Sequence, residues 1–558
     1  MPATDHVHRH PPVIEKEDQL NVAGWMRGHR RRGAVVLLAV GLFAGACGGS
    51  DGGGGSDASG TKDTSGGSGE PVAGGELTYA VPIESPSMDP CAWDNSGQGT
   101  NALRAIAVYD SLVRVNNKTG EFDYAIAESL KPNADFSAWT LKIRDGVKFT
   151  DGTAYDAEAV KAHWTRLADP TAKCASAGQV ANIESMTATD PLTLEVKLKA
   201  PSATFIDTVS SRIGVVPSPT AVKELGADFG AKPVGAGPFK VQSWVKDDRM
   251  VLVKNPDYYQ ADKGLPYLDK VTIRPLLDED QRASSVENGE ADLAFTQIGT
   301  TIKKLEDAGV PVEKFFLQGA ENLLFNVAKP PFDDIRVRKA FVQSVDTSQL
   351  AKVVFAGSIE PADGFLYPGS PYDDPSVQWP KADCDAAKQA WADLAKEKGG
   401  PIDLTIGAFN QGQPPSVEFM QAALTKCGGG NVKVKLDIVE AAVAVPKIFA
   451  RDYQAHGWGI QFVSRPDAIL VQLTCDSPRN ATGYCNKDFD AALAQANVES
   501  DPAKLKSLYS KAETILATDL PVFFYKRSVV SAAHSKKVHG VTIYEDGIIP
   551  LEGVWKDK

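Results

Sequence analysis

The chain has 558 residues, a net charge of −12 and 43% hydrophobic residues, a length and balance that suit about two to four globular domains. No Lys/Arg run follows the triple Arg at 30–32, so the basic footprint of a nucleic-acid binder is missing. No stretch reaches the roughly 18 apolar residues of a membrane span.

In chain order, the first feature is Arg30-Arg31-Arg32, an apolar run from Ala34 to Ala46, and Cys47. A basic n-region, a short h-region and a small-residue site make a secretory signal that is removed. The tetrad Ala44-Gly45-Ala46-Cys47 resembles a lipobox, with Ala44 where Leu is usual. This assigns 1–46 to a lipoprotein signal and Cys47 to lipidation; Met26 offers a second translation start. Residues 47–73 are Gly/Ser-rich, with hardly any bulky apolar residue, and read as a flexible tether.

Beyond the tether, Glu76–Pro82 alternates as a strand and ends at the proline; Trp139–Arg144, Leu192–Leu198, Met250–Lys254 and Val271–Arg274 read as strands likewise, without one. Between them, Ala157, Val160, Trp164 and Leu167 mark one helical face. The second half predicts helices over Ile335–Val345 and Pro502–Ala517, the latter capped by Ser500 or Asp501. Val522–Tyr525 then reads as a buried strand returning to the first sheet. Strands alternating with helices indicate an α/β fold.

Cys91, Cys174, Cys384, Cys427, Cys475 and Cys485 remain after Cys47. An even count fits an oxidising compartment, and pairing sequence neighbours gives Cys91–Cys174, Cys384–Cys427 and Cys475–Cys485. Beyond the Gly/Ser tether no Cys-x-x-Cys, His-Glu-x-x-His or Gly-x-Ser-x-Gly occurs, so neither a metal, a cofactor nor catalysis is expected. Gly235-Ala-Gly-Pro238 is read as a tight turn, because Pro238 removes an N–H that a phosphate cradle needs.

Several blocks taken together carry a resemblance. They are Ile126–Asp135 with Trp139–Thr153 and Asp156–Val160, then Gly235–Lys240 with Lys254–Tyr259, Phe325-Asn326 with Pro331–Ala340, and Asn480–Tyr484 with Phe489-Asp490. In this order they resemble the family 5 extracellular solute-binding proteins, the oligopeptide-, dipeptide- and nickel-binding components of bacterial ABC importers. The resemblance implies a two-lobed, periplasmic-binding-protein-like α/β fold with an extra domain inserted in the N-terminal lobe. Lobe I falls at 75–108, 214–320 and 520–558, the insert at 109–213 and lobe II at 321–519. It also implies a monomer held to the extracytoplasmic face of the cell membrane by its lipid, with a permease and ATPase complex as partner.

The same resemblance places a ligand between the lobes, with peptides the default. Dipeptide binders of the family carry a carboxylate shortly after a Gly-Trp pair to hold the ligand ammonium, whereas Gly457-Trp458 is followed by Gln461. Where such binders often carry an Arg, this chain has Asn410 and Gln411. Amides suit neutral polar solutes, so an oligosaccharide or opine-like ligand is the competing expectation, and a secreted hydrolase or a non-transporting surface receptor lies further off. The expected ligand-binding residues are Trp458, Gln461, Phe462, Asn410, Gln411, Ser85, Met88, Phe295 and Gln297, with Thr296 between the last two. Asn326 is expected to bond crossover backbone.

Overall fold

The computed structural model describes residues 70–558 apart from 94–101, 117–120, 411, 463–464 and 545–546. Cys47, the signal and the tether up to residue 69 lie outside the described residues.

Three sheets organise the chain. The first has seven strands, in the order Val312–Phe316, Val529–His534, Leu293–Thr296, Glu76–Val81, Lys270–Pro275, Arg249–Lys254 and Phe239–Val245. Glu76–Val81 runs parallel to both neighbours, and its apolar residues Leu77, Tyr79 and Val81 join one core with Val271, Ile273, Leu293 and Phe295. The second sheet has the order Val432–Val439, Ile402–Phe409, Ala455–Phe462, Gln318–Phe325 and Val522–Lys526. It carries a core on each face: Phe523 and Tyr525 point into one, Val522 and Phe524 into the other. The third sheet is antiparallel, in the order Ala127–Pro132, Ala138–Ile143, Thr193–Leu198 and Ile183–Asp190, with its own core around Trp139, Trp164 and Phe205.

The helices start where short polar side chains supply a cap. Asp156 accepts from Ala159 N ahead of Ala157–Ala168, and Asp501 does so from Lys504 N ahead of Pro502–Asp519. Disulfides join Cys91 to Cys174, Cys384 to Cys427 and Cys475 to Cys485, the neighbour pairs expected from the sequence. Among the described residues, no helix is long and apolar enough to cross a membrane.

One expectation is corrected. Val522–Tyr525 does not return to the first sheet but forms an edge of the second, pairing with Gln318–Phe325. Its alternate side chains are apolar on both faces and fill the two helix-covered cores of that sheet, a burial the strand keeps only there. The return is made by Val529–His534, after Arg527 and Ser528 have crossed between the sheets. A second crossing lies beside it, where Val312–Phe316 of the first sheet leads through Leu317 into Gln318–Phe325 of the second. Leu317 N donates to Ser528 O at 2.9 Å, so the two crossings are tied together.

Candidate functional site

A cavity of about 630 Å³ opens beside these crossings. The first sheet supplies Phe295, Gln297 and Ile298 at the end of Leu293–Thr296; the second supplies Phe409, Asn410, Trp458, Gly459 and Gln461; the crossings supply Leu317, Glu321, Lys526, Arg527 and Ser528. It is a mixed apolar and polar site within the range of about 300–1,000 Å³ typical of small-molecule pockets.

Trp458 is half-buried and packs against Phe409, with ring centroids 5.9 Å apart, and edge-on against Phe449 at 6.0 Å. It therefore serves the core and the cavity wall together. Gln461 is not loose: its Nε2 donates to Ser528 Oγ at 2.6 Å, linking the strand Ala455–Phe462 to the crossing. Asn410 is exposed at the cavity and anchored through its N–H to Val439 O. Gln413, buried in the same wall, accepts from Phe409 N at 2.9 Å. A side chain at Gly457 would collide with that amide, since a Cβ there would lie 2.3 Å from Gln413 Oε1. Across the cavity Phe295 is 2% exposed, while Gln297 is exposed and its N–H donates to Glu279 Oε1. Burial raises the Glu279 carboxyl above the ordinary range, opposed by the N–H groups of Ile298 and Gln297. Thr296 faces away from the cavity, bonded to Ser531 Oγ at 2.5 Å.

Ser85 and Met88 do not line this cavity. Both are fully buried in a turn pinned from several sides: Ser85 Oγ donates to Ser87 O, Trp93 Nε1 donates to the same oxygen, and Tyr109 OH donates to Met88 O. Following a sheet strand in sequence put them near a site; the turn folds them into the first core instead. Gln411 and the Phe462 side chain lie outside the described residues. Asn326 donates to Arg451 O and Tyr453 O at 2.9 Å each, tying neighbouring backbone segments.

The charged members of the site are not among the residues expected from the sequence. Arg527 is 2% exposed and its guanidinium donates to the carbonyl oxygens of Gly319, Phe365 and Leu366, each at 2.8 Å. Burial pulls it below the ordinary arginine value, with Glu513 opposing. Lys526 Nζ lies 2.8 Å from Glu321 Oε1. Their signal was available: Lys526 and Arg527 are the first charges after the apolar run Val522–Tyr525, where a strand leaves a core. Gly319 belongs to the same corner, with φ of 84° and a virtual Cβ 2.2 Å from Ile460 O, a place that only glycine fills without strain.

Residues 121–481 match the family described as bacterial extracellular solute-binding proteins, family 5 middle. The glutathione-binding protein GsiB of Shigella flexneri is 29% identical over 490 residues, covering 84% of this chain and 92% of that one. Among solved structures, the ABC transporter substrate-binding protein CtaP of Listeria monocytogenes superposes with a TM-score of 0.75 at 22% identity, covering 87% of this chain and all of that one. The binding protein DppA of Helicobacter pylori in complex with the peptide STSA gives 0.71 at 24%, covering 87% and 99%. With the family matched over most of its length and the two-lobed fold in place, the chain belongs to the family 5 bacterial extracellular solute-binding proteins, which deliver solutes to ABC importers.

Proposed function

We propose that this chain is a lipid-anchored peptide receptor, tethered to the extracytoplasmic face of the membrane through Cys47, that presents its ligand to an ABC permease and ATPase complex. The observation that carries the reading is the cavity itself, in which Phe295 and Gln297 of the first sheet face Phe409, Trp458 and Gln461 of the second across two linked crossings. A ligand touching both walls has more contacts when the sheets approach, so it favours the closed arrangement by its differential affinity. The lobes are proposed at 75–108, 214–320 and 520–558 for the first and 321–519 for the second, with the insert at 109–213; the strand Gln318–Phe325 of the second sheet spans the 320/321 boundary, and Val522–Lys526, also of the second sheet, follows 519, so the last segment re-enters the first sheet only at Val529. Peptide relatives support the ligand class: GsiB is by name a glutathione-binding protein, and DppA was solved with a tetrapeptide. Catalysis has no part in the proposal.

Native mass spectrometry of the stripped chain, re-exposed to separate peptide and sugar pools, tests the ligand class. Peptide adducts are the expected result, and adducts from the sugar pool alone would replace peptide with an oligosaccharide. For the anchor, Cys47→Ala is expected to move the protein from the membrane fraction to the soluble fraction; a variant that stays with the membrane would remove Cys47 from that role.

A further inference from the structure

Besides the two chain crossings, a third connection joins the two lobes, and it carries no covalent bond. The insert is fixed to the first lobe: Cys174 is bonded to Cys91, Arg166 pairs with Asp89, and Arg114 pairs with Glu552 at 2.7 Å. It therefore moves with that lobe. Its segment 201–207, which follows the strand Thr193–Leu198 and enters the helix Phe205–Thr208, is nevertheless bound to the second lobe at Asn497. Ala203 N donates to Asn497 O at 2.8 Å, and Asn497 Nδ2 donates to Pro201 O at 3.1 Å. Ser202 Oγ and Thr204 Oγ1 donate to Asn497 Oδ1 at 3.4 and 3.3 Å. Both polar atoms of this side chain are spent on the insert.

Beside Asn497, Asp207 of the insert meets a group of side chains built by the second lobe. Its charged neighbours there are Asp467 and Arg465. Arg465 pairs with Asp467 at 3.1 Å and donates to the carbonyl oxygens of Glu499 and Ala496, on either side of Asn497. Tyr509 OH donates to Asp467, and Tyr372, which feels the Asp207 charge, packs edge-on against the Tyr509 ring at 4.9 Å. Two carboxyl groups thus face one another across the boundary between the lobes. None of these residues lines the cavity. A hinge movement at the crossings that parts the cavity walls has to pull Asn497 away from 201–204 and Asp207 away from Asp467. A contact that exists in one arrangement and not in the other shifts the balance between them, whether or not it touches ligand.

We propose that Pro201–Asp207 of the insert and Asn497 with Asp467 of the second lobe form a clasp that holds the lobes closed over the cavity and loosens as the solution becomes alkaline. The proposal rests on the receptor reading and the lobe division above, and concerns how that receptor opens. The sign of the pH effect follows from the two carboxyl groups. In the closed clasp, burial and Asp467 push the Asp207 carboxyl from 3.8 up to about 8, against Arg465. Once the lobes part, Asp207 meets water and returns to its ordinary value. Between 3.8 and about 8, each opening therefore releases a proton. The closed-to-open ratio falls up to about tenfold per pH unit over that window and is level below it.

The test is small-angle X-ray scattering of the full chain, stripped of ligand, from pH 5 to pH 9. The radius of gyration of the parent is expected to rise with pH. Asn497→Ala is expected to bring that rise to lower pH, and Asp207→Asn to keep the low-pH value up to pH 9. Asn497 has right-handed helical backbone angles, φ −61° and ψ −13°, so alanine fits there without strain. Ser202→Ala combined with Thr204→Val loosens the clasp from the other side and is expected to act like Asn497→Ala. An unchanged far-ultraviolet circular dichroism spectrum shows that each variant is folded. A parent whose radius does not change with pH, or an Asn497→Ala curve that superposes on the parent's, would overturn the proposal and leave the contact a passive seam. The separate peptide and sugar pools, applied to the same samples, keep the two readings apart. If peptides bind while the scattering is indifferent to pH and to Asn497, the clasp alone falls. If the scattering behaves as expected while sugars alone bind, the clasp stands and the peptide reading falls.

Discussion

Replacing Arg527 with methionine is expected to destabilise the protein by about 3–5 kcal/mol, read as a lower urea midpoint at unchanged slope. Methionine fills much of the space and removes every donor. The carbonyls of Gly319, Phe365 and Leu366 would then lose their partner, and a buried acceptor left unmade costs about 1–3 kcal/mol. Glu513 would be affected as well. Its Oε1 accepts from Phe365 N, Leu366 N and Trp379 Nε1 at 3.0–3.1 Å, so Phe365 and Leu366 are gripped by Arg527 on their oxygens and by Glu513 on their nitrogens. Burial already raises the Glu513 carboxyl, and Arg527 is one of the influences lowering it again. Arg527→Lys is expected to recover less than half of the loss, because one ammonium cannot reproduce the fixed fork of the guanidinium. Since Arg527 sits at the crossing and its neighbour Ser528 accepts from Gln461, the methionine variant should also bind ligand more weakly in the remaining folded fraction. A midpoint within experimental error of the parent would show that water replaces the guanidinium at little cost.

How much of this was legible beforehand differs by kind of feature. Period-two patterns located Glu76–Val81, Thr193–Leu198 and Arg249–Lys254 each to within one residue, because half-buried strands write their burial into alternation. The helix start at Asp501 was equally readable, because its cap is a local hydrogen bond. Sheet membership was not. Val522–Tyr525 is apolar at every position, and nothing local says which sheet such a strand joins. The two-residue crossing at Arg527-Ser528 decides it, and that is a tertiary fact. At the site, Trp458, Gln461, Asn410, Phe295 and Gln297 came from what the family resemblance implies about the ligand's place, and they surround one cavity. Ser85 and Met88 were placed by following a strand, and a turn that folds inward defeats that inference.

The pH dependence of stability is expected to be governed by two buried groups with opposite slopes. Asp207 lies in the helix Phe205–Thr208, in a segment fastened to Asn497 by Ala203 N to Asn497 O at 2.8 Å and Asn497 Nδ2 to Pro201 O at 3.1 Å. Burial, and then the nearby Asp467 carboxylate, push its carboxyl from 3.8 up to about 8, with Arg465 opposing. Arg465 itself is paired with Asp467 at 3.1 Å, and Tyr509 OH donates to Asp467. His163 lies in the core of the third sheet, where burial, and then the Arg166 cation, pull it from 6.5 down to about 3 against Asp89. The folded Asp207 keeps a proton that the unfolded chain gives up, so its contribution is complete below 3.8 and is lost as pH rises to about 8. The folded His163 refuses a proton that the unfolded chain takes, so its contribution is complete above 6.5 and is lost as pH falls towards 3. The gap corresponds to at most about 6 kcal/mol for Asp207 and about 5 kcal/mol for His163. Between pH 3.8 and 6.5 the two slopes cancel, and above 6.5 only the loss from Asp207 remains. Asp207→Asn is therefore expected to gain stability over the parent most strongly at pH 8 and progressively less towards pH 4, whereas His163→Leu gains most at pH 4. Both are measured as differences in urea midpoint from the parent, so that groups common to the two proteins drop out. Difference curves that stay level from pH 4 to pH 8 would mean that both groups titrate in the folded protein as they do in the unfolded chain, and that the burial of neither side chain is felt by its proton.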